Sequence, residues 1–145
     1  MGYRFIVLHS TGGTDSRAWL TRTSVPPVSI HRLIRKSGSL YKIVPDHEVA
    51  WHCGPAQVGP IPHHPYSLNN YSLGIELENL NTGRDPYPVA QVEVCAMQVL
   101  EWWGLYGALP IVAHGWVQRG KSDPAGFSWD FFYDRLFTYL RRTQP

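Results

Sequence analysis

Leu109 to Asp130 reads Leu-Pro-Ile-Val-Ala-His-Gly-Trp-Val-Gln-Arg-Gly-Lys-Ser-Asp-Pro-Ala-Gly-Phe-Ser-Trp-Asp. A short apolar run, Ile111 to Ala113, stops at His114 and gives way to a Gly-rich polar loop carrying Lys121, Asp123 and Pro124. An apolar run of this length, bounded by turn residues, reads as a buried strand. The loop cannot be buried, because its backbone donors and acceptors would go unpaired. It belongs at the edge of a sheet, where loops carry function on a rigid scaffold. A His, a Lys and an Asp gathered there suit a metal site or a proton-transfer site.

The N-terminal segment repeats the pattern. Phe5-Ile6-Val7-Leu8-His9 is a second β-rich apolar run that ends in His. Ser72-Leu73-Gly74-Ile75-Glu76-Leu77-Glu78 alternates cleanly, which sets Leu73, Ile75 and Leu77 on one face and Gly74, Glu76 and Glu78 on the other. Val28 to Ile34 and Ser39 to Val44 read as two more strands, joined through Gly38 as a hairpin. Val89 to Trp103 carries Val92, Cys95 or Ala96, Val99 and Trp102 at helical spacing, and Gly104 and Gly107 close it. Phe131, Phe132, Leu136, Phe137 and Leu140 make the apolar face of a last helix, capped by Ser128 or Asp130. A short helix through Trp19 and Leu20, capped by Thr14 or Asp15, precedes Pro26-Pro27. Pro45 to Tyr66 is irregular. The fold class that follows is mixed α/β: one central sheet of about five strands flanked by helices.

A chain of 145 residues is expected to form one domain, residues 1–145, with a real core. Formal net charge is only +2 and the basic residues are scattered, so no nucleic-acid footprint is expected. No apolar run approaches membrane-spanning length. Tyr3 to Leu8 is too short for a signal-peptide core and runs into polar His9-Ser10, so synthesis in the cytoplasm is expected. The two cysteines, Cys53 and Cys95, are not needed as a staple in a domain this size, and Cys95 falls on the apolar face of its helix.

A His at the end of a rigid strand is well held, which suits a metal ligand. Two histidines and a carboxylate, with an open position for water, are an ordinary set for catalytic zinc. His9, His114 and Asp123 supply that set, although seven histidines allow other triples. Hydrogen-bonded strand-end histidines are the alternative. With a metal in place, Glu76 is the natural general base and Lys121 the group that stabilises an oxyanion. A solvated strand face and a solvated loop cation are their alternatives. His63-His64 reads as a solvated loop.

Six segments follow one another along the chain: Ile6 to His9, Val28 to Ile34, Ala50-Trp51-His52-Cys53-Gly54, Ser72 to Glu78, Ile111 to His114, and Lys121-Ser122-Asp123-Pro124. In these segments and their order the sequence resembles the zinc-dependent N-acetylmuramoyl-L-alanine amidases of the amidase-2 type, a superfamily that takes in phage endolysins, muropeptide-recycling amidases and peptidoglycan recognition proteins. The resemblance implies a peptidoglycan-recognition-protein-like fold. It implies Zn2+ held by His9, His114 and Asp123, and Glu76 and Lys121 as catalytic residues. It also implies His31 and His52 as contacts to substrate, with structural hydrogen bonding as the alternative, and Trp51 is read as packing rather than binding. Some members place a catalytic Tyr just before the hairpin His; Ile30 stands there in this chain, which leaves the role of base to Glu76. After Pro124 the family's usual Gly-Pro is replaced by Ala125-Gly126, while Phe127 and Trp129 remain. The implied activity is hydrolysis of the amide between N-acetylmuramic acid and L-alanine of peptidoglycan or a muropeptide. The implied setting is a monomeric endolysin-like enzyme without a separate wall-binding domain. A cytosolic recycling amidase and a non-catalytic peptidoglycan-binding module are the alternatives.

Overall fold

The computed structural model describes residues 2–14, 16–22, 27–57 and 67–143. The chain runs β1 (Phe5–Ser10), β2 (Thr21–Arg22), β3 (Val28–Ser29), β4 (Arg32–Ile34), β5 (Leu40–Lys42), a 3-10 turn (Leu68–Asn70) and β6 (Ser72–Leu77). It continues through α1 (Val89–Tyr106), β7 (Ile111–Ala113), α2 (His114–Val117) and α3 (Trp129–Thr143). The main sheet has five strands in the order β5-β4-β6-β1-β7. β1 lies parallel to both β6 and β7, β4 is parallel to β6, and β5 is the antiparallel edge. This is the mixed sheet expected from the sequence. Because β1, β6 and β7 run in one direction, their C-terminal ends meet along a single edge, where open α/β sheets bind ligands.

The period of two along β1 separates two environments. Ile6 and Leu8 face the main core with Ile75, Leu77, Val92, Cys95, Val99, Trp102, Phe132 and Leu136. Both long helices pack on this face. Val7 and Val112 face the other way, against Cys53, Ala56, Leu68 and Val117. Irregular chain, the 3-10 turn and four-residue α2 cover that second face. His9 follows the parity of Val7, and Ser72, Gly74 and Glu76 are the register partners of Phe5, Val7 and His9. The face away from the long helices therefore carries the polar groups.

Several local expectations change. The segment from Ser16 to Leu20 forms turns, not a helix, with one Leu20 N–H to Ser16 carbonyl bond of 3.0 Å before β2 begins. One such bond does not offset the cost of nucleating a helix. Asp15 and Pro26 lie outside the described residues. The strand expected over Val28 to Ile34 divides, because β3 pairs with β2 in a separate ribbon while β4 pairs with β5 and β6. The hairpin turn at Gly38 is as expected, at φ +85°. Helix α1 passes Gly104 and ends where the Gly107 N–H bonds the Trp103 carbonyl. Arg32 is a buried base. It pairs with Asp46 at 2.6 Å and donates to Gln98 at 3.0 Å, and its guanidinium lies 5.0 Å from the Trp102 ring. Both cysteines are buried free thiols. Among the described residues, no helix is long and apolar enough to cross a membrane.

Candidate metal centre

His9 stands near the end of β1, paired with Glu76 of β6 and one residue beyond the ladder that joins β1 to β7. His114 follows β7 directly and opens α2, where a polar loop was expected. The chain then turns back, so that the Gly115 N–H donates to the Asp123 carbonyl at 2.9 Å. Asp123 thereby comes to lie beside both histidines. His9 Nδ1 and His114 Nδ1 are 3.0 Å apart, and Asp123 Oδ2 is 3.2 Å from the first and 3.0 Å from the second. The three residues are only 3%, 5% and 8% exposed. Among the described residues, these three form the group that offers one donor atom each within 4.8 Å of one another.

The donor set fits a small divalent cation. His114 Nε2 lies 2.6 Å from Gln118 Oε1, which also accepts the Gly54 N–H at 3.4 Å. That oxygen has no proton to give, so His114 carries its proton on Nε2 and presents a bare lone pair at Nδ1. A lone pair aimed at a carboxylate oxygen 3.0 Å away is repulsive until a positive charge comes between them. Tetrahedral zinc, with bonds of about 2.0–2.2 Å, sets its donors roughly 3.3–3.6 Å apart, a few tenths of an ångström from the spacing here.

Burial pushes His9 down to about 4, against the opposing pull of the Asp123 carboxylate beside it, so the imidazole is neutral and able to bind metal at ordinary pH. Burial also holds His52 well below its usual value. For Asp123 burial acts upward, but the close approach of the His114 and His9 imidazoles outweighs it and holds the carboxyl below the usual range. Glu76 is pushed up to about 8, first by burial and then by the charge of Asp123, with Lys121 acting in the opposite sense. Any cation seated among the three donors acts on Glu76 in the same sense as Lys121.

These groups line one cleft of about 480 Å3. His9, His114 and Asp123 lie there with Glu76, His52 and Lys121 around them. Trp19, Leu20, Val28 and Trp51 form a largely apolar wall, and Ser10, Asn81 and Ser122 a polar one. Trp51 does not pack inside as expected; half of it is exposed at the cleft. Glu78 leaves the cleft to accept the Lys36 N–H at 3.1 Å. Both expected substrate contacts are corrected: the ring nitrogens of His52 are taken by His9 and Ser72, and His31 is the clearer case. It is fully buried, accepts the Gly74 N–H at Nδ1 (3.0 Å) and bonds the Glu48 carbonyl through Nε2 (3.1 Å), so it has no nitrogen left for a substrate. His63 and His64 lie outside the described residues.

The sequence reading missed three contributors. Gln118 could have been found as the residue one helical turn after His114. Asn81 takes a left-handed φ of +57° and accepts from Ser10 Oγ and the Ala125 N–H, both at 2.8 Å, while donating to Ser122 Oγ at 3.1 Å. It ties the ligand loop to the end of β1. Trp19, half exposed on the cleft wall, had no signal beyond its residue type.

The sequence model of the amidase-2 family, N-acetylmuramoyl-L-alanine amidase, matches residues 1–126. The chain belongs to this family. The matched segment holds all three metal donors together with Glu76 and Lys121. Among solved structures, the amidase AmiD from E. coli, in complex with the substrate anhydro-N-acetylmuramic acid-L-Ala-D-gamma-Glu-L-Lys, is similar with a TM-score of 0.77 and 27% identity over 92% of this chain. This chain spans 57% of the AmiD chain, little more than half. An endolysin from a Thermus scotoductus bacteriophage shares the fold at TM-score 0.70 and 18% identity, covering 94% of this chain and 86% of its own. Human PGRP-IβC, in complex with a glycosamyl muramyl pentapeptide, shares it at TM-score 0.57 and 18% identity, covering 90% and 81%. No curated protein sequence matches the chain.

Proposed function

We propose that this amidase-2 chain hydrolyses the amide joining the lactyl group of N-acetylmuramic acid to L-alanine, with Zn2+ held by His9, His114 and Asp123. The observation that carries this is the meeting of His9 Nδ1, His114 Nδ1 and Asp123 Oδ2 within 3.0–3.2 Å, with Glu76 as the register partner of His9. When bound, the metal supplies Lewis-acid polarisation of the carbonyl and acidifies water. Glu76 takes the proton of the attacking water as the new carbon–oxygen bond forms. It returns that proton to the alanine nitrogen as the carbon–nitrogen bond breaks. Lys121 offers its ammonium group to the tetrahedral oxyanion between those steps. The products are a muramyl carboxylate and a free L-alanine amino terminus, so no nucleophilic side chain is required. Cys53 is ill suited to be one, because burial pushes its thiol up to about 12.

We infer lysis of intact wall as the setting, in the manner of an endolysin. The half-exposed Trp19 and Trp51 give the cleft an open aromatic wall, which suits a glycan that continues past the reacting sugar. Recycling of soluble muropeptides is the second reading, favoured by the likeness to AmiD with its anhydromuropeptide. Purified protein is incubated with sacculi and, separately, with soluble anhydromuropeptide, and new L-alanine amino termini are counted. Faster release from sacculi supports the endolysin reading, and release from the soluble substrate alone supports recycling. Chelation should abolish release and zinc restore it. Full activity of metal-free protein overturns the metal assignment, and no release from either substrate leaves a binding module.

A further inference from the structure

His52 has a place built for it. Its ring lies against Gly74, where an added Cβ would come within 2.5 Å of Ile30 Cδ1, 2.8 Å of His52 Nδ1 and 2.9 Å of His52 Cε1. Only a residue without a side chain leaves that space on the face of β6 beside His9. The backbone next to the ring is anchored as well, since the N–H groups of His52 and Cys53 donate to Asn69 Oδ1 at 2.9 and 2.7 Å. Both ring nitrogens are engaged inside the protein. Nδ1 is 2.9 Å from His9 Nε2, and Nε2 is 3.4 Å from Ser72 Oγ. Ser72 in turn donates its hydroxyl to the Leu68 carbonyl at 2.8 Å.

The donor and acceptor of each link follow from the carbonyl end. A carbonyl oxygen only accepts, so the single Ser72 proton goes to Leu68. Ser72 Oγ then accepts from His52, which places the His52 proton on Nε2 and leaves Nδ1 a lone pair. His9 must donate its Nε2–H to that lone pair. His9 Nδ1 is left bare, aimed at the point shared with His114 Nδ1 and Asp123 Oδ2. The other nitrogen of a metal-bound His is oriented by its own hydrogen-bond partner, and losing that partner weakens metal binding.

We propose that His52, seated on Gly74 and oriented by Ser72, is the positioning residue that fixes His9 in its metal-binding tautomer. The proposal rests on the metal reading of the three-donor cluster, and its test separates the two. Zinc affinity is measured by competition with a chromophoric chelator for the unaltered protein, His52→Leu and His52→Asn. The ring-nitrogen NMR shifts of His9 are read in the metal-free proteins. The leucine fills the space but accepts nothing, and should weaken zinc binding by about 10–100-fold. The asparagine oxygen stands near the place of Nδ1 and should restore most of that loss. Unaltered metal-free protein should show His9 protonated at Nε2, and His52→Leu should move the proton toward Nδ1. Equal affinity in His52→Leu, failure of asparagine to restore it, or an Nδ1-protonated His9 in the unaltered protein each overturns the proposal. Should His52→Leu fail to fold, the His9 tautomer in the unaltered protein still decides. A chain that binds no zinc refutes the metal reading alone, because the tautomer measurement needs no metal.

Discussion

His9 and Glu76 are register partners on adjacent parallel strands, β1 and β6. Residues paired this way project from the same face, so the sheet sets a metal donor and a carboxylate side by side before any loop contributes. Glu76→Gln keeps the size of the side chain and removes its basicity. The variant should bind zinc as the parent does and lose about 10²–10⁴ in turnover, the usual worth of a positioned general base. Zinc content and initial rate on purified wall measure the two effects. Unchanged turnover would sink the assignment of Glu76.

Lys121 is exposed at the cleft, and its charge pulls Glu76 downward against burial and Asp123. Lys121→Gln should lower kcat by about 10²–10³ through loss of oxyanion stabilisation, with a smaller effect on KM. Removing a cation near a carboxyl also raises its pKa. The acid limb of the pH–kcat/KM profile should therefore move to higher pH in this variant. A profile displaced toward acid, or an unchanged kcat, contradicts the role.

His31 should make the fold sensitive to acid. Burial lowers it from 6.5 to about 4, with the hydrogen bond to the Glu48 carbonyl opposing. Between those values the unfolded chain binds the proton and the folded chain does not, so stability rises with pH across this window. The contribution is fully present above about pH 7, declines as pH falls through 6.5, and levels off near 4. A shift of this size corresponds to roughly 3 kcal/mol. Urea unfolding at several pH values should show a shallower slope for His31→Asn than for the unaltered chain. Parallel slopes would show that His31 contributes nothing to it.

Gly126 and Gly120 make a matched pair. Both have positive φ, +74° and +76°. A Cβ at Gly126 would also lie 2.8 Å from the Gly83 carbonyl oxygen, whereas one at Gly120 meets nothing within 4 Å. Gly120→Ala should cost about 1 kcal/mol from strain alone, and Gly126→Ala about 2–3 kcal/mol. Denaturant midpoints measure both, and equal losses would show that the contact with Gly83 carries no weight.

The parts of this site that were legible in the sequence are those fixed by strand periodicity. Apolar runs that stop at His9 and His114 marked two strand ends, and alternation through Leu73, Ile75 and Leu77 put Glu76 on the opposite face. What periodicity could not supply was the side of the sheet on which an off-strand residue lands. His31 falls where the chain crosses from the β2–β3 ribbon to the main sheet, and there its ring turns inward onto Gly74. Arg32, next to it, is drawn inside by Asp46 and Trp102, partners 14 and 70 residues away in a chain of 145. Trp51 is an aromatic like those of the core, and its exposure depends on what neighbours the fold brings to it. Gln118 shows only as the residue one helical turn after His114, and Asn81 acts through hydrogen bonds to Ser10, Ser122 and Ala125 that leave no trace in composition or period.

One consequence concerns the chain as a polymer. Asp123 is 114 positions from His9, so donors from the first strand and from a late loop converge on one point. A cation bound there clasps the two ends of most of the sequence, closing a long loop as a cross-link does and narrowing the conformations open to the unfolded chain only for as long as it remains attached. Metal loss would thus slacken the protein as well as silence it. The supply of that cation would then bear on the stability of the folded chain as well as on its turnover.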